Sequence, residues 1–122
     1  MHMEKPTFDR ITRSDGTSEF DDFLDSLPLK DKAKLLAVID NTEELGIEKA
    51  ERMKWVKRLK GGICELRSKQ GSDIQRALYF HEIDNKYMIT HGFTKKTDKT
   101  PKKEIDHSIR MRNEYLERRK AK

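Results

Sequence analysis

The sequence predicts an α+β domain in which helices pack on one face of a small antiparallel β-sheet. Two observations predict this class. Apolar residues recur every three or four positions in the first half of the chain, and every second position between residues 63 and 94. The first spacing is typical of amphipathic helices and the second of strands. Because the chain has 122 residues, we expect a single domain spanning residues 1–122, with flexible ends at 1–6 and 118–122.

The first elements are a short strand and a helix. Residues 7–12 alternate weakly and are compatible with a strand. Ser18 is a favourable N-cap, and apolar residues follow it on one helix face, at Phe20, Phe23, Leu24 and Leu27. Pro28 ends this predicted helix because proline cannot continue one.

Two further helical segments follow. The apolar stripe of residues 29–45 predicts a second helix, and Gly46 fits its C-terminal end. Apolar residues at every third position between 47 and 59 predict one or two more helical turns before Gly61.

The second half of the chain predicts a three-strand meander and a last helix. The strands are residues 63–68, 74–83 and 87–94, and the short turns between them make neighbours antiparallel. Thr100 as N-cap and Pro101 at the first helical position open the C-terminal helix. The sheet face away from the N-terminal helices is expected to be partly open.

Charge is distributed unevenly along the chain. Residues 1–50 hold 7 Lys/Arg and 12 Asp/Glu, net −5, whereas residues 51–122 hold 20 and 10, net +10. A basic half on a small domain is compatible with a polyanionic partner, usually nucleic acid, and equally with a merely solvated surface. The sequence shows neither a signal peptide nor a membrane-spanning segment, so we expect a cytoplasmic protein without a membrane partner. The single cysteine, Cys64, excludes an internal disulfide, and no metal-ligand spacing is found.

Three positions stand out as candidates for chemistry. Arg67 closes the first meander strand, and Arg76 lies inside the second, among apolar residues. An arginine there is either paired within the fold or held to contact a phosphate. A lone histidine is more often structural than catalytic, but His91 lies just before the basic loop that begins at Lys95, which strengthens the case for proton transfer or phosphate contact.

Aromatic residues allow two interpretations. Tyr79 and Tyr115 either stack on bases or fill the core. Trp55 is expected to anchor the short helical segment, and Cys64 to be a small buried residue.

Four strings, taken together, point to a known family. They are residues 59–67 (LKGGICELR), 76–80 (RALYF), 91–97 (HGFTKKT) and 99–105 (KTPKKEI). They resemble the phage-derived, HigB-type branch of the RelE/ParE toxin superfamily, and the resemblance covers roughly residues 18–117. It implies a RelE-like fold, a small antiparallel sheet flanked by helices.

The resemblance also implies an activity. Members of this branch are toxins of type II toxin–antitoxin systems that cleave mRNA on the ribosome without a metal or other cofactor. The ribose 2′-hydroxyl attacks the adjacent phosphate, leaving a 2′,3′-cyclic phosphate and a 5′-hydroxyl. The implied partners are a HigA-like helix-turn-helix antitoxin, mRNA and ribosomal RNA.

Carried onto this sequence, the family pattern assigns residues to roles. Arg76 matches the strand arginine that contacts the scissile phosphate, and Arg67 the arginine that closes the preceding strand. The full set of predicted catalytic residues is Arg67, Arg76, His91, Lys95 and Lys96, and the predicted substrate-binding residues are Tyr79, Lys99 and Tyr115.

The sequence departs from the family at one position. Glu65 lies close to where RelE-type sequences carry a lysine, which leaves the general base open between His91, Glu65 and assistance from the ribosome. Two other functions share the fold: a ParE-like inhibitor of DNA gyrase and a non-catalytic RNA-binding protein.

Overall fold

The computed structural model describes residues 5–120. In chain order the elements are β1 Thr7–Arg10, α1 Glu19–Ser26, α2 Leu29–Leu45, α3 Ile47–Arg52, β2 Val56–Arg58, β3 Ile63–Gln70, β4 Asp73–Ile83, β5 Lys86–Lys95 and α4 Lys102–Lys120. The predicted α+β class, with N-terminal helices on one face and a C-terminal helix, is confirmed.

The sheet has five strands in the order β1-β5-β4-β3-β2. The meander β3-β4-β5 is antiparallel, as predicted. β1, however, runs parallel to β5, with Thr7 opposite Lys86. The prediction of a wholly antiparallel sheet was therefore wrong, because the three helices after β1 carry the chain to β2 at the opposite edge, and the meander then returns to β1.

The segment before Gly61 also differs from the prediction. The helix ends at Arg52, and residues 56–58 form the short edge strand β2, with Val56 opposite Leu66. Pairing with the free edge of β3 satisfies backbone groups that a further helical turn would have left to solvent. The three-residue spacing of apolar residues was compatible with both outcomes.

One face of the sheet carries the main apolar core. α1, α2 and α3 pack here, burying Phe20, Leu35, Leu66 and Tyr79. Ser18 caps α1 as predicted, because its Oγ accepts a hydrogen bond of 2.9 Å from the backbone N–H of Asp21.

The opposite face is closed rather than partly open. α4 crosses it and packs Ile105 and Ile109 against a second cluster that includes Ile63, Leu78 and Phe80. α4 continues to Lys120, past residue 118, where the sequence predicted a flexible end to begin. Positions 1–4 and 121–122 of the predicted flexible ends lie outside the described residues. In the part of the chain that the structure describes, no helix is long and apolar enough to cross a membrane.

Candidate active site

Two arginines lie directly opposite each other in the centre of the sheet. Arg67 on β3 pairs with Arg76 on β4, and both side chains point to the face that α4 covers. Arg76 is fully buried, whereas the side chain of Arg67 keeps 17% of its surface exposed. Like charges directly opposite each other on neighbouring strands are destabilising unless anionic or acceptor groups compensate them.

The loop between β5 and α4, residues 96–101, supplies most of that compensation. The Arg76 guanidinium donates to the carbonyl oxygen of Thr97, to that of Lys99 at 3.1 Å and to Thr100 Oγ1 at 3.4 Å. It also lies over the Phe93 ring, 5.8 Å from the centroid. The loop is therefore fastened to the sheet through Arg76.

Two carboxylates complete the cluster. Glu65 is fully buried on β3 and accepts a hydrogen bond of 2.5 Å from Thr100 Oγ1. Its other oxygen lies 3.3 Å from Arg67 Nε, close enough for an ion pair. Asp98 in the loop accepts a hydrogen bond of 2.9 Å from Arg67 Nη2, and this bond lowers the pKa of the Asp98 carboxyl. Asp98 itself is exposed.

The structure pairs Arg76 within the fold, which is one of the two alternatives that the sequence left open. Burial lowers the pKa of Arg76 and the charge of Glu65 opposes this, but an arginine remains cationic at neutral pH. Its Nε is buried without a hydrogen-bond partner in the described residues. Arg76 is thus paired within the fold, and no part of it faces solvent while the loop is closed.

The predicted lysines lie at the surface of this cluster. Lys96 and Lys99 are exposed members of the loop, and Lys95 is half-buried at the end of β5. None of the three ammonium groups forms an ion pair within residues 5–120. The structure brings them together with Arg67 and Arg76 around one loop.

His91 lies elsewhere on the same face. A β-bulge in β5 turns both Thr90 and His91 toward α4. The His91 ring is buried between Thr90 Oγ1, 3.0 Å from Nδ1, and Glu104 Oε1, 3.1 Å from Nε2. Burial lowers its pKa below the usual value, although the hydrogen bond to Glu104 acts in the opposite direction. His91 therefore belongs to the α4 contact rather than to the basic loop.

The two tyrosines are also apart from the arginines. Tyr79 is buried on the other face and packs edge-on against Phe8 and Tyr87, in line with the core alternative. Tyr115 on α4 packs against Phe80, and burial together with Glu82 raises its pKa to about 12. Neither ring shares the surface of Arg67.

Sequence reasoning missed two members of the cluster. Thr100 was interpreted as the N-cap of the last helix, but that helix starts at Lys102 and the Thr100 hydroxyl bonds to Glu65 instead. Asp98 was passed over, although it is the single acid between Phe93 and Lys103 and could have been noted on that ground. In the described residues, no three His, Cys, Asp or Glu side chains are grouped as a metal site.

One comparison with known proteins identifies the family of this chain. A search of curated proteins found no significant match to the chain. The family model described as phage-derived protein Gp49-like (DUF891) matches residues 22–113, which include every strand of the meander and both arginines. The chain therefore belongs to the phage-derived Gp49-like family, within the RelE/ParE-like toxin superfamily of toxin–antitoxin systems.

Proposed function

We propose that this chain is a HigB-type toxin that cleaves mRNA on the ribosome and is neutralised by a HigA-like helix-turn-helix antitoxin. Family membership supports a toxin with an antitoxin partner. The observation that carries the cleavage proposal is the opposed pair Arg67 and Arg76, with three unpaired lysines around it. Two guanidinium groups side by side suit a phosphate that gains negative charge during reaction.

The groups that now compensate the arginines can be replaced. Asp98 is exposed and holds Arg67 through one carboxylate, the chemistry that an RNA phosphate would offer. The bonds to Arg76 come from backbone carbonyls of the same loop. We therefore infer that RNA displaces the loop, so that a phosphate takes the position of Asp98 and then reaches Arg76.

Loop displacement also frees a general base. Moving Thr100 breaks its hydrogen bond to Glu65 and leaves a carboxylate beside both arginines. In the proposed reaction Glu65 accepts the 2′-hydroxyl proton, the 2′-oxygen bonds to phosphorus, and the bond to the 5′-oxygen breaks. The 5′-oxygen takes a proton from water, and the hydroxide that remains takes the proton from Glu65 to give back the carboxylate and a water molecule. The products are a 2′,3′-cyclic phosphate and a 5′-hydroxyl.

Induction of the chain in a bacterial host tests this function. Wild type should arrest growth and produce new mRNA 5′ ends within codons, detected by primer extension. Arg67→Ala combined with Lys96→Ala should lower cleavage on the order of 10²-fold, because charge stabilisation at phosphorus is lost. Lys49→Ala with Arg52→Ala, on the exposed side of α3, removes the same charge and should leave cleavage unchanged. Full cleavage by the Arg67 variant would contradict the site.

A gyrase inhibitor is the second candidate, and one observation favours it. Arg76 and Glu65 are both buried and bonded to the chain, as expected of charges that hold a fold rather than act on RNA. Growth arrest with gyrase-linked DNA breaks and without new mRNA ends would establish this alternative.

The antitoxin is expected to dock on the acidic N-terminal helices. Residues 1–50 carry a net charge of −5, which a basic antitoxin surface would complement. Affinity for the antitoxin should fall as salt rises, and a salt-independent dissociation constant would count against docking there.

A further inference from the structure

A cavity adjoins the arginine cluster at Arg67. It has a volume of about 350 Å³ and lies between α2, the turn before β2 and the end of β3. Its lining includes Lys34, Val38, Lys54, Trp55, Arg67 and Lys69. Arg67 is shared with the candidate active site, so the cavity is continuous with the proposed path of the RNA.

The cavity is strongly basic. Four cationic side chains line it, and the one carboxylate, Asp98, is already bonded to Arg67. Lys34, Lys54 and Lys69 form no ion pair in the described part of the chain. Lys34 Nζ donates a long hydrogen bond of 3.5 Å to Gln70 Oε1. Unpaired cations around a concave surface indicate an anionic ligand.

Backbone hydrogen bonds fix the main chain at Trp55, the aromatic residue that lines the cavity. The Trp55 N–H donates to the Ala50 carbonyl at 2.9 Å, and the Trp55 carbonyl accepts from the Arg67 N–H at 2.8 Å. The residue before it, Lys54, has φ of 63°, the left-handed conformation in which α3 ends. The half-buried indole packs against the apolar core and lines the cavity with Val38 and Ile74 nearby.

We propose that this cavity binds one nucleotide of single-stranded RNA, with its base against Trp55 and its phosphates on Lys34, Lys54 and Lys69. The combination of an aromatic surface with a basic rim is the one by which proteins hold single strands without reading sequence. A phosphate alone would use the cations but not the indole. The proposal rests on the proposed function, since it places this nucleotide beside the one whose phosphate contacts Arg67.

The chain contains one tryptophan, so its fluorescence reports on this cavity directly. The probe is an eight-residue 2′-O-methyl oligoadenylate, which lacks the attacking hydroxyl and cannot be cleaved. We expect saturable quenching of Trp55 when the full chain is titrated with it. Inorganic phosphate at equal concentration should neither quench nor compete. Absence of quenching, or full competition by phosphate, would overturn the nucleotide assignment.

Variants separate the two halves of the site. Lys34→Ala with Lys69→Ala should weaken binding at least tenfold and lower the slope of log affinity against log salt by about 1.4, as for two lost single-strand phosphate contacts. The matched control, Lys49→Ala with Lys120→Ala, removes two exposed lysines elsewhere and should change affinity less than twofold. Equal losses in both double variants would overturn the site.

The indole is tested with a labelled oligonucleotide and anisotropy, because substitution removes the fluorescence signal. Trp55→Phe should bind within a few-fold of wild type, and Trp55→Leu about tenfold more weakly, with both measured well below their melting temperatures because Trp55 also packs against the core. Equal binding by both variants would overturn base stacking. Quenching without growth arrest would support the nucleotide site and contradict the toxin function. Growth arrest without quenching would contradict the nucleotide site alone.

Discussion

The two faces of the sheet bury different kinds of side chain. The face under α1, α2 and α3 is filled mainly by hydrocarbon and aromatic groups. The face under α4 and the 96–101 loop buries a second apolar cluster and, beside it, the charged side chains of Glu65 and Arg76, together with His91. Charged groups are costly to bury and are retained only where partners satisfy them. The comparison indicates that the first face mainly stabilises the fold. The second face retains buried charged side chains that lower stability and are available for the proposed function.

The largest expected effect is a loss of unfolding free energy when the buried charge of Arg76 is removed. Arg76→Ala leaves Glu65 buried beside a vacated space and should lower the free energy of unfolding by about 3–5 kcal/mol, measured in urea. Arg76→Met combined with Glu65→Gln should recover much of this loss, because neither residue then carries a buried charge. A single variant as stable as wild type would show that Arg76 contributes nothing to the fold.

A comparable loss is expected on the apolar face, with a different consequence. Leu35 is a fully buried residue of α2, and Leu35→Ala should cost about 2–5 kcal/mol of unfolding free energy. Binding of the 2′-O-methyl oligonucleotide, measured well below the melting temperature, should be unchanged. If this variant also lost RNA affinity, the two faces would not be separable in the way proposed.

The sequence predicted the apolar face better than the charged one. Ser18, Pro28 and the meander strands are local signals, since each depends on residues within a few positions. The contact between Thr100 and Glu65 joins positions 35 residues apart and leaves no local pattern. Gly92 is similar: a side chain there would collide with Phe23 of α1, a reason visible only once the helix is placed.

The site itself was predicted in part. Arg67 and Arg76 were recognised by their place in strands, and the structure sets them opposite each other. What the sequence did not show is that the following loop covers them, because loop conformation follows from long-range hydrogen bonds rather than from spacing. Trp55 was assigned to packing alone, since the basic rim around it comes from three separate elements.

A smaller loss is expected from the cap of α1. Ser18→Ala removes the bond to the Asp21 N–H and should cost about 0.5–2 kcal/mol of unfolding free energy. Because α1 belongs to the apolar face, the slope of RNA affinity against salt should not change. Ser18→Gly should lose only a few tenths of a kcal/mol, and an equal loss in both variants would argue against the cap.

The next prediction concerns the loop of residues 96–101, and its expected effect is on RNA affinity rather than on stability. Asp98→Asn weakens the contact with Arg67 at an exposed position. RNA binding should therefore tighten a few-fold, because less must be displaced from Arg67. The control is Asp106→Asn, an exposed acid that pairs with Lys102 on α4. Weaker binding by the Asp98 variant would contradict the replacement of this carboxylate by phosphate.

The smallest effect concerns His91 and depends on pH. Its ring faces Thr90 on its own strand and Glu104 and His107 on α4, and His107 in turn bonds Glu19 on α1. Burial depresses the pKa of His91 in the folded state, so the unfolded chain binds this proton more readily.

Wild type should consequently lose unfolding free energy as pH falls below about 6.5, the usual pKa of histidine. Above that pH both states are neutral at His91 and no such loss applies. The stability advantage of wild type over His91→Gln should therefore shrink between pH 7 and pH 5, in urea unfolding. His81→Gln, at an exposed position of β4, is the matched control for replacing a histidine by glutamine. An advantage that grows on acidification would mean that Glu104 outweighs burial and that His91 gains its proton in the folded state.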